Sequence, residues 1–476
     1  MKRYEALAAD VEESIRTGVL RPGDRVPSVR HTTASRGLSA STVFQAYYLL
    51  EARGLIRARE RSGYYVAGAE PGSHPVPPEP DLSSQPADGS IAVDVSDRVF
   101  EILEASKTRD VVPFGSAFLS PLLFPLARLG QALASSVKTL DPWSTVDDLT
   151  PGNAALRRQI AQRYLADGLH VHPDEIVITN GALEALNLCL ASVTRPGDSV
   201  IVESPTFYAA LQALERMGLQ AIEVPTHPRE GIDLAALARA IERHAPKACW
   251  LMTTFQNPLG SLMSEPKKKA LVDLLAQHGI PLIEDDVYAE LYFGDRRPLP
   301  AKAFDAQGLV MHCGSFSKCL APGYRIGWAA PGRQTQAVAR LKLTTTLGAS
   351  APAQAALARY LERGGFDKHL RKLRLTLAAR QAQLAQAVAQ HFPPGTRATR
   401  PAGGYFLWVE LPEGADALRV HRKALALGIS VAPGPIFSAS RAFTHCLRLN
   451  YGHAWDARAE QAVATLGRLA AEVSAG

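Results

Sequence analysis

A single lysine, Lys318, lies in a stretch whose residue types and spacing suit covalent chemistry with an aldehyde. Ser315 and Ser317 precede it, a Pro-Gly turn follows it, and Arg325 comes seven positions after it. A lysine amine forms Schiff bases when neighbouring cations and desolvation lower its pKa. Serine hydroxyls and an arginine are donors that hold a phosphate group. The stretch therefore predicts a site for a phosphorylated aldehyde; the alternative is a surface lysine in a turn of Gly and Pro.

The elements that must position this lysine are predicted by short apolar runs that alternate with helical stretches from residue 96 onward. This alternation is typical of a mostly parallel α/β sheet. Polar residues follow each predicted strand, and these strands cover 175–179, 250–253, 280–283 and 310–314. Ligands of open α/β sheets bind at the carboxyl ends of the strands. We therefore expect the polar residues and Lys318 to meet at one edge of the sheet.

The motifs on these elements resemble those of the fold-type I aminotransferases, which use pyridoxal 5'-phosphate (PLP). The run at 315–328 reads Ser-x-Ser-Lys-x-Leu-x-Pro-Gly-x-Arg-x-Gly-Trp, and the other motifs follow the family order from 175 to 451. The resemblance implies an α/β PLP-dependent transferase fold with a large and a small subdomain over 96–476. It makes Lys318 the catalytic lysine that bonds to PLP. It assigns the phosphate of PLP to Ser315, Ser317, Arg325 and the backbone amides of Ala182 and Leu183.

The same resemblance assigns the residues around the pyridine ring and the substrate. Phe207 would stack on the ring, and Asn257 and Tyr288 would hydrogen-bond its hydroxylate. Asp285 would pair with the ring nitrogen and keep it protonated, so that the ring acts as an electron sink. Arg448 matches the arginine that binds the carboxylate of an effector or substrate bidentately.

Two positions depart from the family pattern. Asp147 stands where a tyrosine usually reaches the phosphate bound by the partner subunit. Leu259 stands in Asn-Pro-Leu-Gly where the commoner form is Asn-Pro-Thr-Gly. The first difference removes the side chain of an expected contact between subunits, and the second removes a hydroxyl. The acidic neighbours of Asp285, Glu284 and Asp286, are interpreted as structural.

The first 70 residues are predicted to form three helices and a β-hairpin, the order of a winged helix-turn-helix domain of α+β class. The tract has 11 Lys and Arg against 8 Asp and Glu, with the basic residues clustered on the second helix and the hairpin. Its segments 22–30, 39–43 and 62–64 resemble the GntR-type DNA-binding domain. The resemblance and the hairpin arginines assign binding of double-stranded promoter DNA to Ser28, Arg30, Ser41, Thr42, Arg57, Arg59, Ser62 and Gly63.

Three residues of the predicted third helix depart from the GntR pattern. Ala40 stands where arginine is common between the two serines, and Phe44 and Tyr48 lie on the face predicted to meet DNA, where polar residues are usual. The alternative is a winged helix that serves protein contact. The arginines of the hairpin favour DNA, because protein contact gives them no role.

Composition indicates the nature of the segment between the two domains and the compartment of the protein. Residues 71–95 contain six prolines, four acidic residues and no Lys or Arg, which predicts an extended, semi-rigid linker. The five cysteines show no paired spacing, so a reducing compartment is expected and no metal site is predicted. No apolar run follows the basic start and none reaches 18 residues, so neither export nor membrane insertion is indicated. We expect a cytoplasmic, nucleoid-associated protein.

A GntR-type domain over 1–70 joined to an aminotransferase-like domain over 96–476 resembles the MocR transcriptional regulators. The resemblance implies a homodimer that binds PLP and senses a small amine or amino acid through aldimine exchange at Lys318. Two alternatives stay open: a PLP-dependent aminotransferase, and a regulator that senses PLP itself and does not need Arg448. The N-terminal domain favours a regulator, because a metabolic enzyme has no use for it.

Overall fold

The computed structural model describes residues 3–21, 23–52, 55–59, 63–67, 75–105 and 110–474 of the chain. These residues form a winged helix domain, a segment that leads away from it, and an α/β domain with two subdomains. The predicted fold class is therefore confirmed. No helix in the described ranges is both long and apolar enough to cross a lipid bilayer.

The winged helix domain has three helices and a hairpin. Its elements are α1 (Arg3–Arg16), α2 (Val29–Arg36), α3 (Ala40–Ala52), β1 (Ile56–Arg59) and β2 (Gly63–Val66). The inward face of α3 is formed by Val43, Ala46, Tyr47 and Leu50, which are all fully buried and recur at helical spacing. The Tyr47 hydroxyl donates to the carbonyl of Pro27 at 2.5 Å, which ties α3 to the turn before α2.

The segment predicted as a linker is docked on the α/β domain over its described residues. The amide of Ala398 donates to the carbonyl of Pro78 at 3.0 Å, and Glu79 pairs with Arg229 at 2.5 Å. Further along, β3 (Ser90–Ala92) pairs antiparallel with the edge of the large sheet. The hydrogen bonds between β-strands join backbone groups. A segment with few apolar side chains can therefore still be held on the sheet.

The large sheet explains how the strand ends are brought together. The strands before the small subdomain are β4 (Val112–Pro113), β5 (Val177–Thr179), β6 (Ser199–Ser204), β7 (Gln220–His227), β8 (Gly231–Ile232), β9 (Ala248–Leu251), β10 (Leu282–Asp285), β11 (Val310–Ser315) and β12 (Gly327–Ala330). Strands β7, β6, β9, β10 and β11 run parallel in that spatial order. Antiparallel strands flank them, with β3 on one side and β12 on the other, and β5, which pairs antiparallel with β12, again runs in the direction of β11. The predicted, mostly parallel sheet is confirmed, and the carboxyl ends of β10 and β11 are neighbours.

Helices precede, connect and follow the strands of this sheet. They are α4 (Ser96–Ala105), α5 (Leu126–Lys138), α6 (Ser144–Asp147), α7 (Ala154–Ala166), α8 (Ala182–Val193), α9 (Tyr208–Arg216), α10 (Leu234–His244), α11 (Glu265–Gln277), α12 (Thr335–Thr345), α13 (Ala351–Glu362) and α14 (Gly365–His391). Helix α8 matters most for the site, because it begins directly after Gly181 and packs on β10, β11 and β12.

The small subdomain supplies one wall of the site. Its elements are β13 (Arg397–Ala398), β14 (Phe406–Glu410), α15 (Ala417–Ala426), β15 (Ile429–Ser430), β16 (Ala432–Pro433), β17 (Cys446–Asn450) and α16 (Ala457–Ser474). Strands β13, β14, β17 and β16 form an antiparallel sheet, while β15 pairs in parallel with β4. Every residue of β17 is buried, including Arg448, so this arginine lies inside the protein.

Candidate functional site

Lys318 lies in the turn after β11, with its amine in contact with a distant part of the chain. Its Nζ donates to the carbonyl of Ala117 at 2.8 Å and lies 4.3 Å from the ring centroid of Phe118. Desolvation of the amine and the nearby charge of Arg448 lower the pKa of Lys318 to about 7, against the opposing effect of Asp285. Arg325, seven positions after Lys318, also lowers this pKa but less than Arg448 does. A large fraction of the amine is therefore neutral near pH 7, as Schiff-base chemistry requires.

Asp285 is the last residue of β10, and its side chain is buried. Its Oδ1 has no hydrogen-bond partner among the described residues. Burial raises the pKa of Asp285 to about 7, while the amide of Val287 and the charge of Lys318 lower it. A protonated ring nitrogen would satisfy the free oxygen and stabilise the ionised carboxylate. This buried, unpaired oxygen fits the role that the sequence assigned to Asp285.

Asp286, the next residue, is already engaged by other side chains in the structure. Its Oδ2 accepts from Nε2 of His312 at 3.0 Å and from Nη2 of Arg297 at 3.1 Å. These partners hold the pKa of Asp286 below its usual range despite its burial. The structural role interpreted for Asp286 is consistent with these contacts.

Three side chains predicted to surround the pyridine ring lie at strand and helix ends. The amide Nδ2 of Asn257 donates to the hydroxyl of Tyr288 at 3.3 Å, and both side chains are buried. Burial raises the pKa of Tyr288, so its hydroxyl stays protonated and can donate. Phe207 caps the start of α9, with its ring 4.7 Å from that of Tyr208. The structure thus brings Asn257 and Tyr288 together, and their contact with a ring hydroxylate stays a prediction.

In the predicted phosphate site, the start of α8 lies close to the side chain of Arg325. Nη1 of Arg325 donates to Oγ of Ser317 at 3.2 Å. Gly181 precedes α8 with a φ of 84°, and a Cβ at this position would collide with the Arg325 guanidinium. The first amides of α8, at Ala182 and Leu183, have no acceptor within the helix, so they suit an anion. The set fits a phosphate group.

The hydroxyl of Ser315, also assigned to the phosphate, is engaged with the backbone in this structure. It donates to the carbonyl of Ile326 at 3.2 Å and accepts from the amide of Ser317 at 3.0 Å. Ser315 therefore shapes the turn that presents Lys318.

Arg448 is a buried cation whose partners are mostly neutral. Its Nη1 donates to Oδ1 of Asn257 at 3.0 Å, and its Nη2 donates to the carbonyls of Gly115 at 2.8 Å and Ser116 at 3.3 Å. The guanidinium lies 4.1 Å from the ring centroid of Phe406. Its Nε has no partner among the described residues. A planar cation with these neutral contacts is suited to a carboxylate.

The segment from Gly115 to Phe118 is a part of the site that sequence reasoning missed. Its carbonyls accept from Lys318 and Arg448, and the Ala117 carbonyl also accepts from the hydroxyl of Tyr405 at 2.9 Å. Backbone carbonyls make these contacts, so no residue type in the sequence could have indicated them.

Asp147 ends α6 on the surface, where its side chain is exposed. Trp143 and Val146 beside it are 71% and 55% exposed, respectively. The structure thus places Asp147 outside the cluster around Lys318, and its effect on a contact with a partner subunit stays a prediction.

The predicted DNA-binding residues occupy the helix starts and the hairpin. Oγ of Ser28 caps α2, Arg30 is exposed on its first turn, and Arg57 is exposed on β1. Ser41 is exposed and Thr42 half-buried in the first turn of α3.

The wing is described in part. Gly63 begins β2 with a φ of 104°, close to the side chain of Arg25. Arg59 ends β1, while Ser62 lies outside the described residues, as do Arg53 and Arg61. Arg36 of the basic cluster is paired with Asp10 at 2.8 Å.

Comparison with known proteins agrees with this division of the chain. Residues 3–66 match the gntR family of bacterial regulatory proteins, and residues 149–466 match the aminotransferase class I and II family. The first match covers the winged helix domain, and the second includes Lys318 and the strand ends around it.

Relatives and solved structures are similar to the whole chain or to its α/β domain. The chain is 50% identical to the HTH-type transcriptional regulator YdcR of Escherichia coli (strain K12), over 99% of this chain and 100% of the relative. It is 32% identical to aromatic-amino-acid aminotransferase 1 of Thermococcus litoralis, over 74% of this chain and 86% of that enzyme. The crystal structure of LysN, the α-aminoadipate aminotransferase of Thermus thermophilus, complexed with N-(5'-phosphopyridoxyl)-L-leucine, has a TM-score of 0.72 and 30% identity, covering 79% of this chain and 95% of that one. The chain therefore belongs to the MocR-type transcriptional regulators, which join a GntR helix-turn-helix domain to an aminotransferase-like domain.

Proposed function

We propose that this regulator binds PLP at Lys318, senses a small amine or amino acid there, and transmits the result to promoter DNA. The observation that carries the proposal is the convergence of three groups in one site. These are the amine of Lys318 with its lowered pKa, the unpaired oxygen of Asp285, and the buried guanidinium of Arg448. Lys318 suits the aldehyde of PLP, Asp285 suits its ring nitrogen, and Arg448 suits the carboxylate of an amino acid.

Bound PLP would supply an aldehyde that condenses reversibly with amines and absorbs visible light. The residues of this chain would do the rest. Asp285 would hold a proton on the ring nitrogen, and Arg325 and Ser317 would hold the phosphate beside the start of α8. Lys318 would bind the aldehyde until an incoming amine competes for it.

A carboxylate-bearing ligand would change the contacts of Arg448. Its guanidinium is now shared with the carbonyls of Gly115 and Ser116, and a carboxylate is the stronger acceptor. The segment released in this way follows α4 and β3 along the chain, and β3 continues the segment from the winged helix domain. A ligand shifts DNA binding only through a different affinity for two states of the protein, and this exchange offers such a difference.

The experiment that tests the proposal follows visible absorbance and DNA binding together. Purified protein with PLP is titrated with amino acids and with simple amines, while its affinity for the promoter region of its own gene is measured. We expect the compounds that change the spectrum to change the DNA affinity in the same concentration range. Spectral changes with every compound and constant DNA affinity would contradict sensing and would favour catalysis.

An aminotransferase is the second candidate. Each role that the aminotransferase resemblance assigns around Lys318 has a residue in this chain, and the T. litoralis enzyme is 32% identical to it. Release of a 2-oxo acid during the same titration would identify this activity. A plain enzyme gives no account of the winged helix domain.

We also propose a homodimer formed by the α/β domain. Exposed apolar side chains on and next to α5 and α6 are consistent with a partner, namely Leu122, Leu126, Val137, Trp143 and Val146. Two winged helix domains in one particle would favour two half-sites in the DNA. Sedimentation of the protein with PLP is expected to give twice the chain mass of 51.2 kDa. A monomer with full PLP affinity would contradict the dimer.

A further inference from the structure

Two aromatic side chains lie exposed on the outward face of α3. Phe44 is 42% and Tyr48 51% exposed, and their ring centroids lie 6.3 Å apart with an angle of 28° between the planes. Helix α3 runs alongside α14, yet both rings stay exposed, so this packing does not cover them. Two exposed aromatic rings that lie side by side on one helix face are available for contact with a partner.

Position on the helix indicates that this partner is DNA. Ser41, Phe44 and Tyr48 are spaced by three and four residues, so they line one face of α3. In helix-turn-helix domains the N-terminal half of the recognition helix contacts the base edges in the major groove. The exposed cations Arg30 and Arg57 lie on the elements before and after α3, where they suit the phosphates on either side. The aromatic pair therefore continues the predicted DNA-binding surface.

The chemical character of the Phe44 and Tyr48 rings limits which groups of the DNA they can recognise. The ring of Phe44 has no hydrogen-bond donor or acceptor, so it cannot read the polar edges of the bases. The apolar feature of the major groove is the 5-methyl group of thymine. We infer that Phe44, backed by Tyr48, reads thymine methyl groups in the operator. This inference rests on the DNA-binding half of the proposed function and names the chemistry of its target.

The test removes the methyl groups and nothing else from the base pairs. The promoter region is amplified once with thymidine and once with deoxyuridine nucleotides, and affinity for each fragment is measured by fluorescence anisotropy. The wild type is expected to bind the uracil fragment about fourfold more weakly for each methyl group contacted. Phe44→Ser should bind the thymine fragment more weakly and should no longer distinguish the two fragments.

Two variants serve as controls. Arg30→Ala should weaken binding to both fragments by the same factor, because it removes a cation and leaves the methyl contact. Tyr48→Phe should keep the ratio between the fragments, because the ring that backs Phe44 is retained. Thermal unfolding and binding to random DNA at low salt check that Phe44→Ser is folded; if it is not, Phe44→Gln takes its place with the same expectation.

The outcomes separate this inference from the function on which it rests. Equal affinity of the wild type for both fragments, together with preference over random DNA, would overturn thymine reading and leave DNA binding intact. Absence of any preference for the promoter region over random DNA would refute the DNA-binding proposal itself. An unchanged ratio in Phe44→Ser, with a lower sedimenting mass, would show that the aromatic pair is a contact between subunits and would overturn the inference.

Discussion

Lys318→Ala is expected to abolish the visible absorption of bound PLP and the response of DNA binding to amines. The amine is the group whose pKa is lowered to about 7, and alanine offers no nucleophile in its place. The residues of the proposed phosphate site and Asp285 remain, so PLP itself would still bind, though more weakly. Absorbance spectra and promoter affinity, each with and without ligand, measure both effects.

The pH dependence of PLP capture follows from the same pKa. Below pH 7 the amine of Lys318 is mostly protonated and cannot attack the aldehyde, and above pH 7 it is mostly neutral. We therefore expect the rate of capture by PLP-free protein to rise with pH through about 7 and then to level off. A rise only near pH 10, as for a lysine in water, would contradict the lowered pKa.

Two further lysine variants serve as controls. One separates the covalent bond of Lys318 from its charge, and the other removes a lysine outside the site. Lys318→Arg keeps a cation but cannot form the bond, so it should behave as Lys318→Ala does. Lys269→Ala removes a largely exposed lysine that pairs with Asp273, and it should leave both readouts unchanged. Wild-type absorbance together with a normal effector response in Lys318→Ala would refute the proposed mechanism.

Arg448→Lys is expected to keep the visible absorption of bound PLP while losing most of the response to carboxylate ligands. Lysine retains the charge but cannot hold a carboxylate with two parallel hydrogen bonds. The loss of a hydrogen bond to a charged group predicts a concentration for half-maximal response that is about 10- to 100-fold higher. Amines without a carboxylate should act on the variant and the wild type alike, and they form the control in the same titration.

Arg448→Ala adds a test of the electrostatic coupling between the two cations. Arg448 is the main charge that lowers the pKa of Lys318, so its removal should raise that pKa. The rise in PLP capture should then move to higher pH in Arg448→Ala and stay near the wild-type position in Arg448→Lys. Because the side chain is fully buried, thermal unfolding of each variant is measured first. An undiminished response of Arg448→Lys to carboxylates would favour the alternative in which PLP alone is sensed.

Some of this site could be read from the sequence because its groups lie within short motifs at strand ends. Lys318 and Arg325 belong to one such turn, and Asp285 and Tyr288 to another. Parallel strands bring their carboxyl ends to one edge, so alternation of strands and helices was enough to predict that these turns meet. The three helices and the hairpin of the winged helix domain followed from local patterns in the same way.

The tertiary structure alone decided which of these groups act on one another. Arg448 and Lys318 are 130 positions apart in the sequence, and packing of the small subdomain makes Arg448 the dominant cation near the amine. Every residue has a backbone carbonyl, so residue type does not indicate which carbonyls accept hydrogen bonds. Only the fold shows that those of Gly115 and Ala117 accept from Arg448 and Lys318, respectively. Docking of the predicted linker as β3 likewise uses backbone pairing. The sequence by itself thus determined the chemical groups and their local turns, whereas distances, desolvation and backbone contacts between remote segments required the folded chain, because they depend on packing rather than residue type.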